Sequence, residues 1–252
     1  EDGIRDLVRS RGLGDVYKRQ HLFVQDTNSV DLLKTINVEN VSQAGDTRFD
    51  RVIEIAENTQ NNEIIEKFTN GKLCFISGST WYEDDKLITK FINKCHDDVK
   101  FIIAPHNVDE SRIVEILLLL NKSVVRYTKV NIETVSDIQV LILDNIGMLS
   151  SIYKYGHIAY IGGGFGTGIH NILEAAVYGM PVIFGKNHKR FIEASEMIDL
   201  KAGFSVSNYE EFEKTVNIFL SDRNFLETTS EKAKKYIYKN KGASDKIMEF
   251  VF

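Results

Sequence analysis

The chain has 252 residues, a formal net charge of −5 at pH 7 and a pI near 5.8. This acidic balance argues against sequence-independent nucleic-acid binding, which needs clustered cations. The longest apolar runs, such as residues 116–120, are too short to cross a bilayer, so we expect this chain by itself to be soluble. Cys74 and Cys95 lack the spacing of a zinc site, which favours a reducing compartment and no structural metal.

The first residues differ in pattern from everything that follows. Residues 1–20 are rich in charge and show no clear periodicity, and RSRGLGDVYKRQ within them is similar to a translated sequencing adapter. We therefore expect residues 1–20 to be non-native. Residues 21–48 are interpreted as the tail of an amino-terminal domain and its linker. Here HLFVQ predicts a short strand, DTNSVDLLKTIN predicts a capped helix, and residues 38–52 predict a second short strand that runs into a loop.

From about Gly71 onward, strand and helix patterns alternate. The predicted strands are residues 73–79, 99–105, 124–128, 140–145, 158–161, 181–185 and 203–207. The predicted helices are residues 83–96, 109–121, 146–154, 190–198, 208–219 and 222–239, with one more after the glycines described next. Alternation with nearly continuous apolar strands indicates a parallel sheet covered on both faces. We predict an α/β, doubly wound domain over residues 49–252, closed by carboxyl-terminal helices.

The stretch 158–185, IAYIGGGFGTGIHNILEAAVYGMPVIFG, predicts a strand, a glycine-rich turn, a helix with one carboxylate and a second strand. Five glycines between Gly162 and Gly168 allow close backbone approach, and the helix after them would point free N–H groups at a phosphate. Glu174 is predicted one turn inside that helix, where a carboxylate suits two ribose hydroxyls. A tight structural turn with a solvated Glu174 is the alternative.

Ligands of doubly wound sheets bind outside the carboxyl ends of the strands, so the other loops at those ends are candidates too. Hydroxyls at 77–80 either contact a phosphate or sugar or cap the next helix. Pro105 fixes a turn, and His106 after it either contacts the ligand or lies on the surface. Residues 145–148 either read a base edge through their backbone or form an ordinary turn. A cationic cluster either complements an acidic sugar or phosphate or is a solvated helix start; its members are Lys186, His188, Lys189 and Arg190.

Six segments resemble, in order and spacing, the carboxyl-terminal half of the 3-deoxy-D-manno-octulosonic acid (Kdo) transferases. They are residues 45–52 (GDTRFDRV), 77–81 (SGSTW), 103–106 (IAPH), 144–149 (DNIGML), 162–185 and 186–194 (KNHKRFIEA). The resemblance covers nearly everything after residue 21. It implies a Rossmann-like second domain of a GT-B glycosyltransferase. Such enzymes transfer Kdo from CMP-Kdo to a lipid A precursor in lipopolysaccharide core biosynthesis, at the cytoplasmic face of the bacterial inner membrane.

The resemblance also implies a set of binding residues. The implied CMP contacts are Pro105, His106, Ile146, Gly147, Met148, Asn171, Ile172, Leu173 and Glu174. Further donor contacts are expected of Ser79, Thr80, Gly166, His170 and Lys189. Many relatives have a GGHNPLE-type sequence where this chain has GIHNILE at 168–174, so the loop geometry is expected to differ slightly.

The family's catalytic glutamate and its membrane-associating segment belong to the amino-terminal acceptor domain and have no counterpart in this sequence. We therefore expect this chain to bind CMP-Kdo. The lipid A precursor and the membrane are expected to contact the amino-terminal acceptor domain. We predict that the chain alone does not catalyse the transfer. No metal cofactor is predicted, because Asp84 and Asp85 follow a capping pattern rather than Asp-x-Asp. A UDP-sugar transferase or epimerase and a non-catalytic nucleotide-binding module remain alternatives.

Overall fold

The computed structural model describes residues 21–252, so the prediction that residues 1–20 are non-native lies outside the described residues. The described residues form two units. One contains residues 21–51 together with the last residues, 240–252, and the other contains Val52–Lys239. The predicted boundary after residue 48 lies close to this division, but the last residues group with the smaller unit rather than with the predicted donor domain. The assignment of residues 21–48 to an acceptor domain stays a prediction.

The smaller unit is built on two short parallel strands, β1 (Leu22–Val24) and β2 (Val41–Gln43). Between them lies the helix α1 (Thr27–Thr35). It begins where a carboxylate oxygen of Asp26 accepts a hydrogen bond from the backbone N–H of Ser29 at 2.7 Å. An aspartate in this position satisfies an N–H group that the helix itself leaves free. The predicted strands and capped helix are confirmed.

The loop predicted to follow β2 is instead a helix, α2 (Thr47–Asn58), so that prediction is wrong. Asp46 precedes the helix, and its carboxylate accepts a hydrogen bond from the backbone N–H of Arg48 at 2.9 Å. The pair Gly45-Asp46 is typical of a turn, but an aspartate at this position also caps a helix. The same two residues therefore mark the end of a loop and the start of a helix.

Asp50, in the first turn of α2, joins that turn to the last helix of the chain, Ala243–Val251. Its carboxylate accepts hydrogen bonds from the backbone N–H groups of Gly242 at 2.5 Å and Ser244 at 2.7 Å. Burial raises the pKa of Asp50, but these hydrogen bonds outweigh it and hold the pKa below its ordinary value. One carboxylate therefore connects the two ends of the smaller unit.

The larger unit is organised around a sheet of seven strands. They are β3 (Leu73–Thr80), β4 (Val99–Pro105), β5 (Val124–Arg126), β6 (Val140–Ile142), β7 (Ile158–Ile161), β8 (Val182–Gly185) and β9 (Gly203–Val206). All neighbours pair in parallel, in the order β5-β6-β4-β3-β7-β8-β9. The predicted doubly wound parallel sheet is confirmed.

Helices connect the strands of the larger unit. They are α3 (Glu63–Thr69), α4 (Tyr82–Lys94), α5 (Glu110–Leu119), α6 (Leu149–Ile152), α7 (Leu173–Ala176), α8 (Ile192–Asp199), α9 (Tyr209–Ser221) and α10 (Arg223–Lys239); the last helix of the chain is α11. Short 3-10 turns lie at Tyr127–Lys129, Val135–Asp137 and Tyr153–Tyr155. Within residues 21–252, no helix combines the length and hydrophobicity that crossing a bilayer requires.

The core of the larger unit lies between the sheet and its helices. Every residue of β4 is buried, as expected of a strand covered on both faces. On one face, Phe212 of α9 meets Phe75 and Tyr160 of the sheet edge-on, with ring centroids 6.1 and 5.6 Å apart. Phe91 of α4 closes the cluster at 5.6 Å from Phe212. These interlocking rings fix the helices against the strands that carry the loops of interest.

The strand order reverses direction at the pair β3–β7. From β3 the chain moves outward to β4 and to the edge strand β5, and β6 then lies between those two. From β7 the chain moves the other way, to β8 and β9. At such a switch point the loops leave the sheet in opposite directions and open a crevice at the carboxyl ends of the strands. The loop after β3 and the glycine-rich loop after β7 flank that crevice.

Candidate functional site

The loop after β3 is held tightly against the glycine-rich loop after β7. The register of β3 shifts between Gly78 and Thr80, and Ser79 between them has a left-handed φ of 52°. A Cβ atom on Gly162 would lie 2.2 Å from the Ser79 carbonyl oxygen, so only glycine fits there. Thr80 is 1% exposed, so in this conformation its side chain is not available to a ligand, whereas Ser79 is half-buried. The expectation for Thr80 is corrected accordingly.

The buried side chain of Asp84 forms hydrogen bonds to both of these loops. It is 1% exposed, and its carboxylate accepts hydrogen bonds from the backbone N–H groups of Trp81 and Gly163, both at 2.9 Å, and from the Tyr160 hydroxyl at 2.6 Å. The bond from Trp81 caps the start of α4, with Trp81 at the cap position instead of one of the hydroxyls at 77–80. The bond from Gly163 was not predicted, and it makes Asp84 a clamp on the glycine-rich loop.

Asp85, beside it, has a different role. It is fully buried and forms an ion pair with Arg112 of α5. Burial raises the pKa of Asp85 to about 6, against the lowering effects of the Thr80 hydroxyl and of Arg112. The pair joins α4 to α5 behind the crevice. The ion pair is therefore structural.

The glycine-rich loop folds back on itself. The backbone N–H groups of Gly166 and Gly168 both donate to the Gly163 carbonyl, at 2.9 and 3.2 Å, and that of His170 donates to the Gly162 carbonyl at 3.1 Å. Gly163 itself donates to Asp84. Four N–H groups that the sequence left free for a phosphate are thus already paired.

The helix predicted after the glycines is shorter and starts later than expected. With Glu174 one turn inside it, the predicted helix begins near residue 170, but α7 spans only Leu173–Ala176. A helix of one turn has too few aligned peptide groups for a substantial macrodipole. The structure therefore lacks the long helix whose dipole the predicted anion site requires, and the side chains around the loop become the candidates for contact with an anion.

Asn171 and Glu174 form a hydrogen-bonded pair beside this loop. The Asn171 side-chain amide donates to Glu174 Oε1 at 3.0 Å, and its Oδ1 accepts from the backbone N–H of Leu173 at 3.1 Å. Glu174 is partly buried, and burial raises its pKa against the lowering effect of Asn171. Ile172 and Leu173 are fully buried in the core, so only their backbone atoms are available to a ligand.

Three aromatic rings meet at the mouth of the crevice. The indole N–H of Trp81 donates to Nε2 of His170 at 2.9 Å, and the two ring planes are inclined by only 11°. His106, at the end of β4, stacks on both, with centroids 4.5 Å from Trp81 and 4.7 Å from His170. Burial first and His106 second lower the pKa of His170, against the opposing effect of Asp84, so the imidazole is neutral at neutral pH. Trp81 was not singled out from the sequence as a site residue.

The remaining predicted contacts lie around the same edge. Pro105 is buried at the end of β4. Gly147 has a φ of 90° and open space around it, and Ile146 beside it is 86% exposed. The Asn145 amide lies 2.6 Å from the sulfur of Met148, which leaves the backbone of this turn on the surface. The exposed backbone of this turn is compatible with both interpretations of residues 145–148, recognition of a base edge and an ordinary turn.

The cationic cluster is attached directly to the glycine-rich loop. Asn187 donates from its backbone N–H to the Gly164 carbonyl at 2.9 Å and from its side chain to the Gly166 carbonyl at 2.7 Å. Lys189 is exposed, and the guanidinium of Arg190 lies beside Gly168. The structure thus brings cations to this loop, which supports the charged interpretation of the cluster over a helix start that only solvent contacts.

A network at the ends of β5 and β6 was missed. Arg126 donates to Asp144 at 2.8 Å and to Glu110 at 2.7 Å, and the Thr128 hydroxyl also donates to Asp144. Burial raises the pKa of Asp144, but the bonds from Thr128 and Arg126 outweigh it and lower the pKa overall. No spacing in the sequence links these residues, because they meet only through strand pairing. The network fixes the strand end from which the 145–148 turn departs.

This sheet order, with a crevice at its switch point, is a Rossmann-like fold of the kind found in GT-B glycosyltransferase domains. Two solved structures share the fold. The C-terminal CMP-Kdo binding domain of WaaA from Acinetobacter baumannii matches with a TM-score of 0.58 at 21% identity, over 74% of this chain and 97% of that one. HepE from Anabaena, in complex with UDP-glucose, matches with a TM-score of 0.54 at 14% identity, over 92% of this chain and 63% of that one.

Several glycosyltransferases are similar to this chain in amino-acid sequence. The chain is 30% identical over 192 residues to a bifunctional glycosyltransferase/methyltransferase of Fusobacterium nucleatum, covering 74% of this chain and 30% of that protein. It is 23% identical to the 3-deoxy-D-manno-octulosonic acid transferase of Rickettsia felis, over 90% of this chain and 49% of the relative. It is 25% identical to the 3-deoxy-D-manno-octulosonic acid transferase of Aquifex aeolicus, over 79% of this chain and 54% of the relative.

The predicted resemblance to the Kdo transferases is therefore confirmed, and these relatives are glycosyltransferases. The chain spans about half the length of the Kdo transferases it matches and less of the bifunctional protein. No protein-family model matches the chain.

Proposed function

We propose that this chain is the donor-binding portion of a glycosyltransferase that transfers Kdo from CMP-Kdo to a lipid A precursor during lipopolysaccharide core biosynthesis. The similarity to Kdo transferases supports the choice of donor. The crevice at the β3–β7 switch point supports a nucleotide ligand, because nucleotides bind at such points in doubly wound sheets.

One observation carries the proposal: the carboxylate of Glu174, in the helix that follows the glycine-rich loop, is half-satisfied. Asn171 donates to Oε1 of Glu174 and so orients the group. Among the described residues, the structure shows no hydrogen bond to Oε2. An ionised carboxylate oxygen held in this way is a strong acceptor for ribose hydroxyls. The nucleoside part of CMP supplies two such hydroxyls.

The phosphate of CMP then falls near the glycine-rich loop. Because much of the backbone of that loop is already hydrogen-bonded, we assign the stabilisation of the leaving phosphate to side chains. His170 offers a neutral imidazole, and Arg190 offers positive charge beside Gly168, with the exposed Lys189 next to it in the sequence. Such preorganised groups lower the cost of the charge that develops as CMP leaves. We propose that this step proceeds without a metal.

The reaction is an attack by a sugar hydroxyl on the anomeric carbon of Kdo: the new C–O bond forms there as the bond to the phosphate of CMP breaks. A base must take the proton of the attacking hydroxyl. Because the chain spans about half the length of the Kdo transferases, we propose that this base and the acceptor site belong to a preceding domain of the whole enzyme. That domain would also hold the whole enzyme at the cytoplasmic face of the bacterial inner membrane.

Calorimetric titration of the chain with CMP and, separately, with UDP tests the proposed donor. We expect CMP to bind and UDP to bind more weakly. The variant Glu174→Gln should bind CMP more weakly, by about 1–3 kcal/mol in binding free energy, because it loses the charged acceptor. Glu231→Gln, on the exposed face of α10, is the matched control and should leave the affinity unchanged. Preference for UDP would favour a UDP-sugar enzyme, and equal affinity of Glu174→Gln and the unchanged chain would show that Glu174 does not contact the ribose.

A further inference from the structure

The geometry points to Trp81 as a positioning residue that holds His170 as the Nδ1–H tautomer, so that His170 donates a hydrogen bond to the phosphate of the bound donor. This inference rests on the function proposed above, because it concerns the same anionic group. It adds a residue outside the set that the sequence implied.

The hydrogen bond between the rings determines which nitrogen of His170 carries the proton. The indole nitrogen of tryptophan is a donor and never an acceptor. Its contact with Nε2 of His170 at 2.9 Å therefore requires that Nε2 be unprotonated. A neutral imidazole has one N–H group, which must then be on Nδ1.

The surroundings of His170 favour this neutral form. Partial burial and the neighbouring His106 both disfavour a charged ring, and they outweigh the opposing effect of Asp84. The backbone N–H of His170 is bonded to the Gly162 carbonyl at 3.1 Å, so the residue is fixed to the glycine-rich loop at the backbone and to Trp81 at the ring. Among residues 21–252, the structure shows no hydrogen bond from its remaining donor, Nδ1–H, which can therefore serve a ligand.

The stacking geometry shows that the arrangement is a rigid unit. The planes of Trp81 and His170 are nearly parallel and joined edge to edge, which makes one continuous surface. His106 covers part of that surface, with interplanar angles of 23° and 25°. Trp81 nevertheless remains 44% exposed, which is unusual for so large an apolar side chain and is consistent with a residue that faces a binding crevice.

This unit spans three strand ends. Trp81 follows β3, His106 follows β4, and His170 follows β7 through the glycine-rich loop. A side chain that connects both sides of the switch point fixes the width of the crevice there as well as the tautomer of His170. Loss of the indole N–H alone should affect the tautomer but not the stacking, and that separation makes the inference testable.

The test uses the full chain labelled with ¹⁵N-histidine, and CMP as the probe. The ring nitrogens of the six histidines are distinguished in long-range ¹H–¹⁵N spectra, and His170 is assigned by its absence in His170→Asn. We expect the unchanged chain to show protonated Nδ1 and bare Nε2 at His170. In Trp81→Phe, which keeps a stacking ring but has no N–H, we expect the Nε2–H tautomer to appear and the Kd for CMP to rise about tenfold.

Two comparisons separate positioning from a merely structural effect. Tyr82→Phe is the control, because Tyr82 is an equally exposed aromatic residue whose ring faces Lys86 and Arg112 instead of the histidines; it should change neither the spectrum nor the affinity. In a His170→Asn background, Trp81→Phe should cause no further loss of affinity, because Trp81 acts through His170.

Other outcomes would overturn the inference. A protonated Nε2 in the unchanged chain, or a tautomer change in Trp81→Phe without loss of CMP affinity, would refute the role assigned to Trp81. Additive losses in the double variant would show that Trp81 acts independently of His170. Absence of CMP binding by the unchanged chain would instead refute the proposed function and the ligand of His170, while the spectrum would still decide whether Trp81 holds the tautomer.

Discussion

Gly162 and Ser79 approach so closely that a Cβ atom on Gly162 would lie 2.2 Å from the Ser79 carbonyl oxygen. The backbone N–H of Gly162 also donates to the Gly78 carbonyl at 2.9 Å, which continues the pairing of β7 with β3 to its end. Two candidate ligand loops therefore leave the sheet from one tightly packed point. Their separation is set by backbone contact rather than by flexible side chains.

The first prediction concerns that contact. Gly162→Ala should lower the free energy of unfolding by about 1–3 kcal/mol, because the added methyl group meets backbone atoms that cannot move aside easily. Gly166→Ala is the matched control from the same loop, since its nearest neighbour would be 3.6 Å away. Urea unfolding measures both. Equal stability of the two variants would show that the β3 and β7 ends adjust to the extra atom.

The second prediction concerns the buried carboxylate of Asp84. Asp84→Asn keeps the shape of the side chain but removes its negative charge. The amide oxygen can still accept from Trp81 and Gly163, but these bonds are no longer charge-assisted, and the amide NH₂ replaces the oxygen to which the Tyr160 hydroxyl donates. We expect a loss of about 2–3 kcal/mol in the free energy of unfolding, and weaker CMP binding because the glycine-rich loop is released. Asp98→Asn, at a side chain that is 80% exposed, should change neither. Unchanged affinity in a folded Asp84→Asn variant would argue against the clamp.

The third prediction concerns pH and Asp85. Burial raises the pKa of Asp85 in the folded chain to about 6 from 3.8. Between these values the folded state retains a proton that the unfolded state has released, so the contribution of Asp85 to stability falls as pH rises through this window. We expect the free energy of unfolding of the unchanged chain, minus that of Asp85→Asn, to decrease across the same window. A difference that grows with pH would mean that Arg112 outweighs burial and lowers the pKa.

The fourth prediction concerns turnover. The chain alone should bind CMP but transfer no Kdo from CMP-Kdo to a lipid A precursor, since we assign the base to another domain of the whole enzyme. A radiolabelled transfer assay measures this, with the Kdo transferase of Aquifex aeolicus as the active comparison. Transfer by the chain at a rate similar to that relative would place the base within these residues and contradict the assignment.

Much of the fold could be predicted from local pattern. The apolar runs of β3, β4 and β8 are strands that helices cover, and their alternation with amphipathic helices leaves a parallel sheet as the consistent arrangement. The predictions from local pattern fail where one sequence pattern is typical of two different structures. Asp46 is typical of a turn and also caps α2, and the glycines after β7 precede a helix of a single turn rather than a long one.

The amino-acid sequence by itself determined which loops matter, because Gly162 to Gly168, His106 and Glu174 follow strand patterns whose carboxyl ends must share one edge of a parallel sheet. Only the tertiary structure decided how these residues work. The partners of Trp81 and Asp84 on the β7 side lie far away in the sequence, at His170 and Gly163. Periodicity and capping patterns reflect neighbours within a few residues, whereas hydrogen bonds across a sheet depend on strand order and register, which no local pattern encodes.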